Sequence, residues 1–277
     1  MCADRENDGT RYDSAQYFQH TEMSAAHKLF SLAPFAFLLL LRPDVLNLTP
    51  PPGRMHSLPP ITLWVWERPE DLRSIDPRTT AIATLDRTLV LGRTMSVIPR
   101  RQSYLYPAGT RRIAVVRIEA PGVIAEGIEP FATDAILDVA GDPGIAALQI
   151  DFDARLSQRL FYTALLRKLR QRMPPNLPLS ITALASWCSS DDWIAALPVD
   201  EAVPMLFRME PGRRFARPGI PEFRIREPLC ESSTGVSTRE PTSATLVGKR
   251  VYIFADAGWR EDLPLVSTVA SVERTQP

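Results

Sequence analysis

From Ile61 onward, short apolar runs alternate with polar, loop-forming stretches. Eight runs read as strands: Ile61–Trp66, Thr80–Leu91, Arg112–Ile118, Ala146–Asp153, Leu179–Leu184, Val199–Phe207, a weak one within Phe223–Ser237, and Arg250–Ala255. Runs this short and this continuously apolar suit strands buried on both faces, as in parallel sheets. Between the fourth and fifth, Leu156, Leu160, Phe161, Ala164, Leu165 and Leu169 recur at helical spacing and predict one apolar stripe. Arg167, Lys168, Arg170 and Arg172 load the end of that helix, where the macrodipole favours cations, and read as a solvated terminus; Pro174-Pro175 stop it. A second helix is predicted over Pro130–Val139, with its proline in the first turn. No helix is evident after the second or sixth strand. Eight strands and several crossover helices in about 200 residues predict an α/β fold, a small and partly irregular (β/α)8 TIM-like barrel. A doubly wound α/β sheet is the alternative.

Ahead of the barrel the pattern changes. Residues 1–22 are a polar extension, and Met23 reads as the natural start. A short basic lead and the apolar run Leu29–Leu41 follow it, so 23–42 is expected to be a signal peptide or membrane anchor. As a helix that run reaches only ~20 Å, short of the ~30 Å hydrocarbon core. A buried N-terminal helix is the other reading. Residues 43–58 form a Pro-rich linker, 59–264 the barrel and 265–277 a C-terminal tail. The expected location is periplasmic or membrane-anchored in the cell envelope, with N-terminal membrane association; a cytoplasmic protein is the alternative.

Composition narrows the function. Of the 277 residues, 45% are hydrophobic and 23% charged, an ordinary globular balance. The 32 basic and 32 acidic residues cancel, which argues against a nucleic-acid partner bound by phosphate neutralisation. With 3 His and 3 Cys, and no metal-ligand spacing among them, neither a zinc site nor a His-based triad is expected. No cofactor is expected. The 26 prolines indicate many short elements and rigid loops.

The strongest chemical signal is the run Gln149-Ile150-Asp151-Phe152-Asp153. Alternate residues of a strand share a face, so Leu148, Ile150 and Phe152 are predicted to meet the helices. Gln149, Asp151 and Asp153 then point into the barrel, approaching the strand's C-terminal end. The two Asp Cα atoms fall ~6.6 Å apart, close enough for one carboxylate to raise the other's pKa. Asp153 and Asp151 are therefore the candidate catalytic residues. A structural pair locked to Arg117, Arg208 or backbone amides is the competing reading.

This strand, the Leu/Arg helix after it and Leu179-Ser180-Ile181-Thr182-Ala183 resemble the middle of family 18 glycoside hydrolases, the chitinase-like barrels. The resemblance puts Gln149, Asp151 and Asp153 on the three carboxylate positions of that family's D-x-D-x-E strand, implying a general-acid role for Asp153. Val199-Asp200-Glu201 and Met205-Leu206-Phe207-Arg208 resemble its V-D-x…M-x-Y-D strand, with Phe207 lacking the phenol and Arg208 replacing a carboxylate. Ile61-Thr62-Leu63-Trp64-Val65-Trp66, the Gln-Ile-Asp-Phe-Asp strand, Ser180-Ile181-Thr182-Ala183 and Val251-Tyr252-Ile253-Phe254 are more similar still to a bacterial family, domain of unknown function 3142. The chain is identified as a member of it over roughly Pro59–Pro264. That membership implies a glycosidase-like barrel and no particular activity.

Residues expected at the rim suit a carbohydrate. Trp64 and Trp66 share a strand face beside Glu67; Arg117 and Glu119 end the third strand; Trp187 follows the fifth; Asp256 and Trp259 follow the eighth. With Gln149, Phe207 and Arg208 these form the candidate substrate-binding set, since rings offer stacking faces while carboxylates and guanidinium groups bond hydroxyls. Three functions follow as expectations: an envelope glycoside hydrolase, a non-catalytic carbohydrate-binding barrel, and a structural envelope protein. Cys188 and Cys230 are expected either to bridge through long rim loops or to remain two separate buried thiols.

Overall fold

The computed structural model describes residues 53–207, 224–240 and 249–267. The extension, the apolar segment, Arg208 and most of the C-terminal tail lie outside them. All eight expected strands form: β1 (Ile61–Val65), β3 (Thr80–Leu91), β6 (Arg112–Glu119), β7 (Ala147–Asp151), β8 (Leu179–Leu184), β9 (Glu201–Met205), β10 (Ser233–Ser237) and β11 (Arg250–Phe254). They pair in parallel in that order, and β1 bonds both β3 and β11, closing the sheet. Closure rules out the doubly wound alternative. The fold is a small, irregular TIM-like α/β barrel.

The irregularity lies where helices were not evident. Between β1 and β6 the chain forms no helix. It forms β2 (Glu70–Asp71), the hairpin strand β4 (Met95–Pro99) antiparallel to β3, and β5 (Tyr104–Leu105) paired with β2. Regular crossovers are carried by α1 (Ile128–Ala140) and α2 (Arg159–Arg172), followed by the short α3 (Ala185–Ser189) and α4 (Trp259–Asp262).

Strand alternation sorts side chains into an inner and an outer layer. Trp64, Ala83, Leu85, Ile113, Val115, Val203, Tyr252 and Phe254 fill the barrel. Leu148, Ile150 and Phe152 pack outward beneath α1 and α2, as the pattern predicted. Gly235 of β10 faces inward, where a Cβ would stand 3.2 Å from the Pro204 carbonyl and 3.3 Å from the Phe254 ring. A side chain there would force these neighbours to give by a few tenths of an ångström.

Three expectations need correction. Residues 53–58 are not free linker. Arg54–Ser57 is a turn of 3-10 helix whose Met55, with Leu58, plugs the N-terminal end of the barrel, held by an Arg54–Asp200 ion pair at 2.9 Å. The apolar stripe of α2 is partly shifted: Leu165 and Leu169 are buried as expected, but Leu156 and Leu160 are 76% and 86% exposed, and Tyr162 and Leu166 are buried in their stead. Both sets satisfy helical spacing, and only the docking of α2 on the sheet selects one. The basic end of α2 is also not merely solvated. Lys168 pairs with Glu129, Arg172 with Asp134 at 2.7 Å, and Arg170 donates to the Leu177 and Pro174 carbonyls.

Candidate functional site

The barrel interior carries a polar relay across its lower half. Trp64 Nε1 donates to Gln149 Oε1 at 2.8 Å, Gln149 Nε2 to Ser180 Oγ at 3.1 Å, and Ser180 Oγ to Glu201 Oε1 at 3.2 Å. Tyr252 Oη also donates to Glu201 Oε1, at 2.7 Å, and Arg250 Nη1 to Oε2 at 2.6 Å. Apart from Arg250 Nε, which is buried without a partner, the polar atoms of the relay are satisfied by its own members, as burial requires. Gln149 and Trp64, expected to contact a ligand, are both fully buried and belong to this relay.

One layer higher, the register sets Arg117 of β6 beside Asp151 of β7. Arg117 Nη1 donates to Asp151 Oδ2 at 3.0 Å, and Arg117 Nε to Glu119 Oε1 at 3.0 Å. On the other side, Thr182 Oγ1 of β8 donates to Asp151 Oδ1 at 2.7 Å. Thr182 was not singled out from the sequence, although alternation already placed it on the inward face with Ser180. Asp151 is 6% exposed. Asp153 lies beyond the strand, which ends at Asp151 and not at Asp153 as expected, and its residue is exposed at the mouth.

Burial pushes the Asp151 carboxyl above its ordinary value; Arg117 and Thr182 pull it down, and Asp153 adds to the rise. Loss of solvent at the mouth likewise raises Asp153, opposed by Arg117. For Arg117, burial alone would lower the pKa, but Asp151, Glu119 and Asp153 reverse this and hold it raised. Two carboxyl groups with raised pKa thus flank one fixed cation, chemistry suited to general acid catalysis.

Aromatic rings wall this layer. The Trp66 ring lies with its centroid 5.7 Å from the Arg117 guanidinium carbon and 4.3 Å from the Trp64 ring. Phe254 stacks on Trp64 at 5.1 Å and meets Phe207 at 4.6 Å. Trp66 is anchored from outside, where Arg100 Nη1 donates to its carbonyl at 2.7 Å.

The remaining expected site residues separate. Glu67 is exposed and accepts the backbone amides of Arg101 and Gln102, locking two loops together. Asp256, at the top of β11, accepts from Ser237 Oγ at 2.6 Å. Trp187 and Trp259 do not reach the mouth. Trp187 is buried behind the wall, edge-on to Trp193 at 4.9 Å. Trp259 is fully buried beneath α4, its Nε1 donating to the Trp64 carbonyl at 2.9 Å. Each falls near a strand's C-terminal end, but a helical turn carries it to the outer layer. Among the described residues no group of three His, Cys, Asp or Glu side chains is placed to hold a metal ion.

Cys188 and Cys230 form a disulfide with Cα atoms 5.9 Å apart. Both are buried, and the bridge ties α3 to the segment that precedes β10. The rim loops therefore do bring them together.

The fold and this mouth define a class: a closed eight-stranded parallel barrel with carboxylates and aromatic rings at the C-terminal ends of its strands. Residues 113–209 match the family described as Domain of unknown function (DUF3142), in keeping with the resemblance drawn from the sequence. That stretch runs from β6 past β9 and carries Arg117, Glu119, Asp151, Asp153 and Thr182. Among solved structures, the chain is similar to the crystal structure of the chitinase domain of the spore coat protein CotE from Clostridium difficile. The two are 14% identical, with 52% of this chain and 49% of that one covered and a TM-score of 0.37. The match thus spans about half of that domain's length. No curated protein matches the chain.

Proposed function

We propose that this protein is an envelope glycoside hydrolase, with Asp153 as proton donor and Asp151 as its electrostatic partner. The observation that carries the reading is the Thr182–Asp151–Arg117–Glu119 chain of contacts, with Asp153 beside it at the barrel mouth. Asp153 is open to a ligand and holds its proton to a higher pH than an ordinary aspartate, as a general acid needs. Asp151 is fixed, and the charge it develops is offset by Arg117. Trp66 and Phe207, both half-buried, supply apolar faces for sugar rings.

Export is part of the proposal. It is supported by the basic lead and apolar run after Met23, and by the Cys188–Cys230 bridge, since disulfides persist in oxidising compartments. Cell fractionation that finds the intact protein in the cytosol overturns it.

A second reading, a carbohydrate-binding barrel without turnover, is favoured by one observation. Both oxygens of Asp151 are already engaged, by Thr182 and Arg117. Hydrolysis assays on a polysaccharide panel separate the two. Turnover that is lost in Asp153→Asn, with the fold retained, supports the hydrolase. Binding on a glycan array without turnover of any bound glycan selects the second reading.

A further inference from the structure

We propose that Asp256 is the general base of an inverting hydrolysis, activating the water that attacks the sugar from the side of the mouth opposite Asp153. The inference rests on the hydrolase reading above and supplies the second carboxylate that such a reaction needs. The water attacks the face of the sugar opposite the leaving oxygen, so acid and base must stand across the cleft from one another. Asp151 lies two residues before Asp153 at the end of β7, and both its oxygens are engaged, by Thr182 and Arg117. Glu119 ends the neighbouring strand β6 and is bound to Arg117. Glu67 holds the amides of Arg101 and Gln102 at a loop junction. None of these three faces Asp153 across the mouth.

Strand order and register set Asp256 there. Three strands separate β7 from β11 in either direction, so the two are diametrically opposed. One way round, Phe254 is level with Trp64, Ala83, Ile113 and Ala147. The other way, Tyr252 is level with Gly235, Met205 and Leu184, and Ile181 of β8 with Ile150. That second path carries Leu184 to Asp153 and Phe254 to Arg155, and the offset between the paths is the stagger that closes such a barrel. Asp151 is midway between Ala147 and Arg155. Asp256, two residues above Phe254, therefore stands at the height of Asp153. Strands ~4.8 Å apart and tilted by ~36° set opposing backbones about 15 Å apart. Two inward aspartate side chains narrow this to about 9 Å, inside the ~6.5–9.5 Å that leaves room for a water between acid and base. Asp256 is half-buried and held in place. Ser237 Oγ, on the inward face of β10, donates to its Oδ2 at 2.6 Å, and its own amide donates to Thr238 Oγ1 at 3.3 Å. In the step, Asp256 takes a proton from the water as the water oxygen bonds to the anomeric carbon. The glycosidic bond breaks toward its oxygen, which takes the proton of Asp153, and exchange with solvent restores both carboxyl groups.

The test is proton NMR of the reducing ends that the full chain first releases from hexasaccharides of β-1,4-glucose, β-1,3-glucose, and β-1,4- and β-1,6-linked N-acetylglucosamine. The α anomer is expected to appear first, before mutarotation mixes the two. A β anomer first overturns the inference and leaves the hydrolase reading standing. Turnover of none of the four overturns that reading, and this inference with it. Asp256→Asn should lower kcat by about 10²–10⁴-fold with an unchanged circular dichroism spectrum. The parent's kcat should rise with pH as the base ionises and fall again as Asp153 loses its proton; Asp256→Asn should lose the rise and keep the fall. Ser237→Ala, which leaves the carboxylate in place, should lower kcat only several-fold and still invert. Full turnover in Asp256→Asn, or an unchanged acid limb of its pH profile, also overturns the inference. The anomer released by the parent decides the matter even where Asp256→Asn does not fold.

Discussion

The guanidinium of Arg117 lies 3.0 Å from the carboxylate of Asp151, and the two side chains are unequally buried, 33% and 8% exposed. The pair joins neighbouring strands at one level of the barrel, and the exposed member is the cation. Arg117 therefore keeps part of its hydration while compensating an anion that has almost none. Removing the cation strands a buried charge, and this costs more than the pair itself contributes.

Arg117→Met should accordingly destabilise the protein by about 2 kcal/mol near neutral pH, below the range for fully buried pairs because Arg117 is partly solvated. Urea unfolding measures it. The loss should shrink on acidification, as Asp151 takes up a proton, and Arg117→Met combined with Asp151→Asn should recover most of it. Additive losses in the double variant would show that the pair is not coupled.

Asp153 gives a pH prediction with a definite sign. Its folded pKa is raised, so between the ordinary value near 3.8 and the folded value the native state binds more protons than the unfolded one. Stability contributed by this group is present at low pH and is lost as pH rises through the folded pKa. Asp153→Asn should therefore gain melting temperature relative to the parent as pH is raised from about 4 to 7. A relative gain on acidification would contradict the raised pKa.

Cys188 and Cys230 are separated by 42 residues, and replacing both by Ala should cost about 4 kcal/mol in the chain-entropy description. Thiol titration of the denatured, unreduced protein should find no free thiol at either position. Two free thiols would refute the bridge.

The shifted face of α2 is tested by paired truncations. Leu165→Ala empties a buried site and should cost about 2–5 kcal/mol. Leu160→Ser alters an exposed one and should stay within about 0.5 kcal/mol. A comparable cost at Leu160 would restore the stripe first expected from the spacing, which held both residues.

Much of the barrel was legible in advance because a buried parallel strand must be apolar nearly throughout. Thr80–Leu91 and Leu179–Leu184 were delimited to the residue. The weak seventh strand, Ser233–Ser237, shows the limit: it is built from Ser, Thr, Gly and Val, and at Gly235 the Phe254 ring stands 3.3 Å from where a Cβ would lie. The candidate site was legible only in part. Period-two alternation places Asp151 on the inward face, but it cannot reveal that Thr182 and Arg117 occupy both of its oxygens. Those contacts depend on the register between separate strands.

The sequence by itself determined the eight barrel strands, the inward and outward faces of β7 and the concentration of carboxylates near its end. Each of these follows from local periodicity and from the cost of burying charge. Tertiary structure decided which polar groups remain open to a ligand. Gln149 and Trp64 are consumed in the relay that ends at Glu201 and Arg250, and Trp187 and Trp259 turn away into the outer layers. It also selected the buried face of α2 and brought Cys188 to Cys230. The physical reason is the same in each case. A residue's type and spacing state what partner it needs, whereas closure of the sheet, strand register and helix docking determine which partner is within reach.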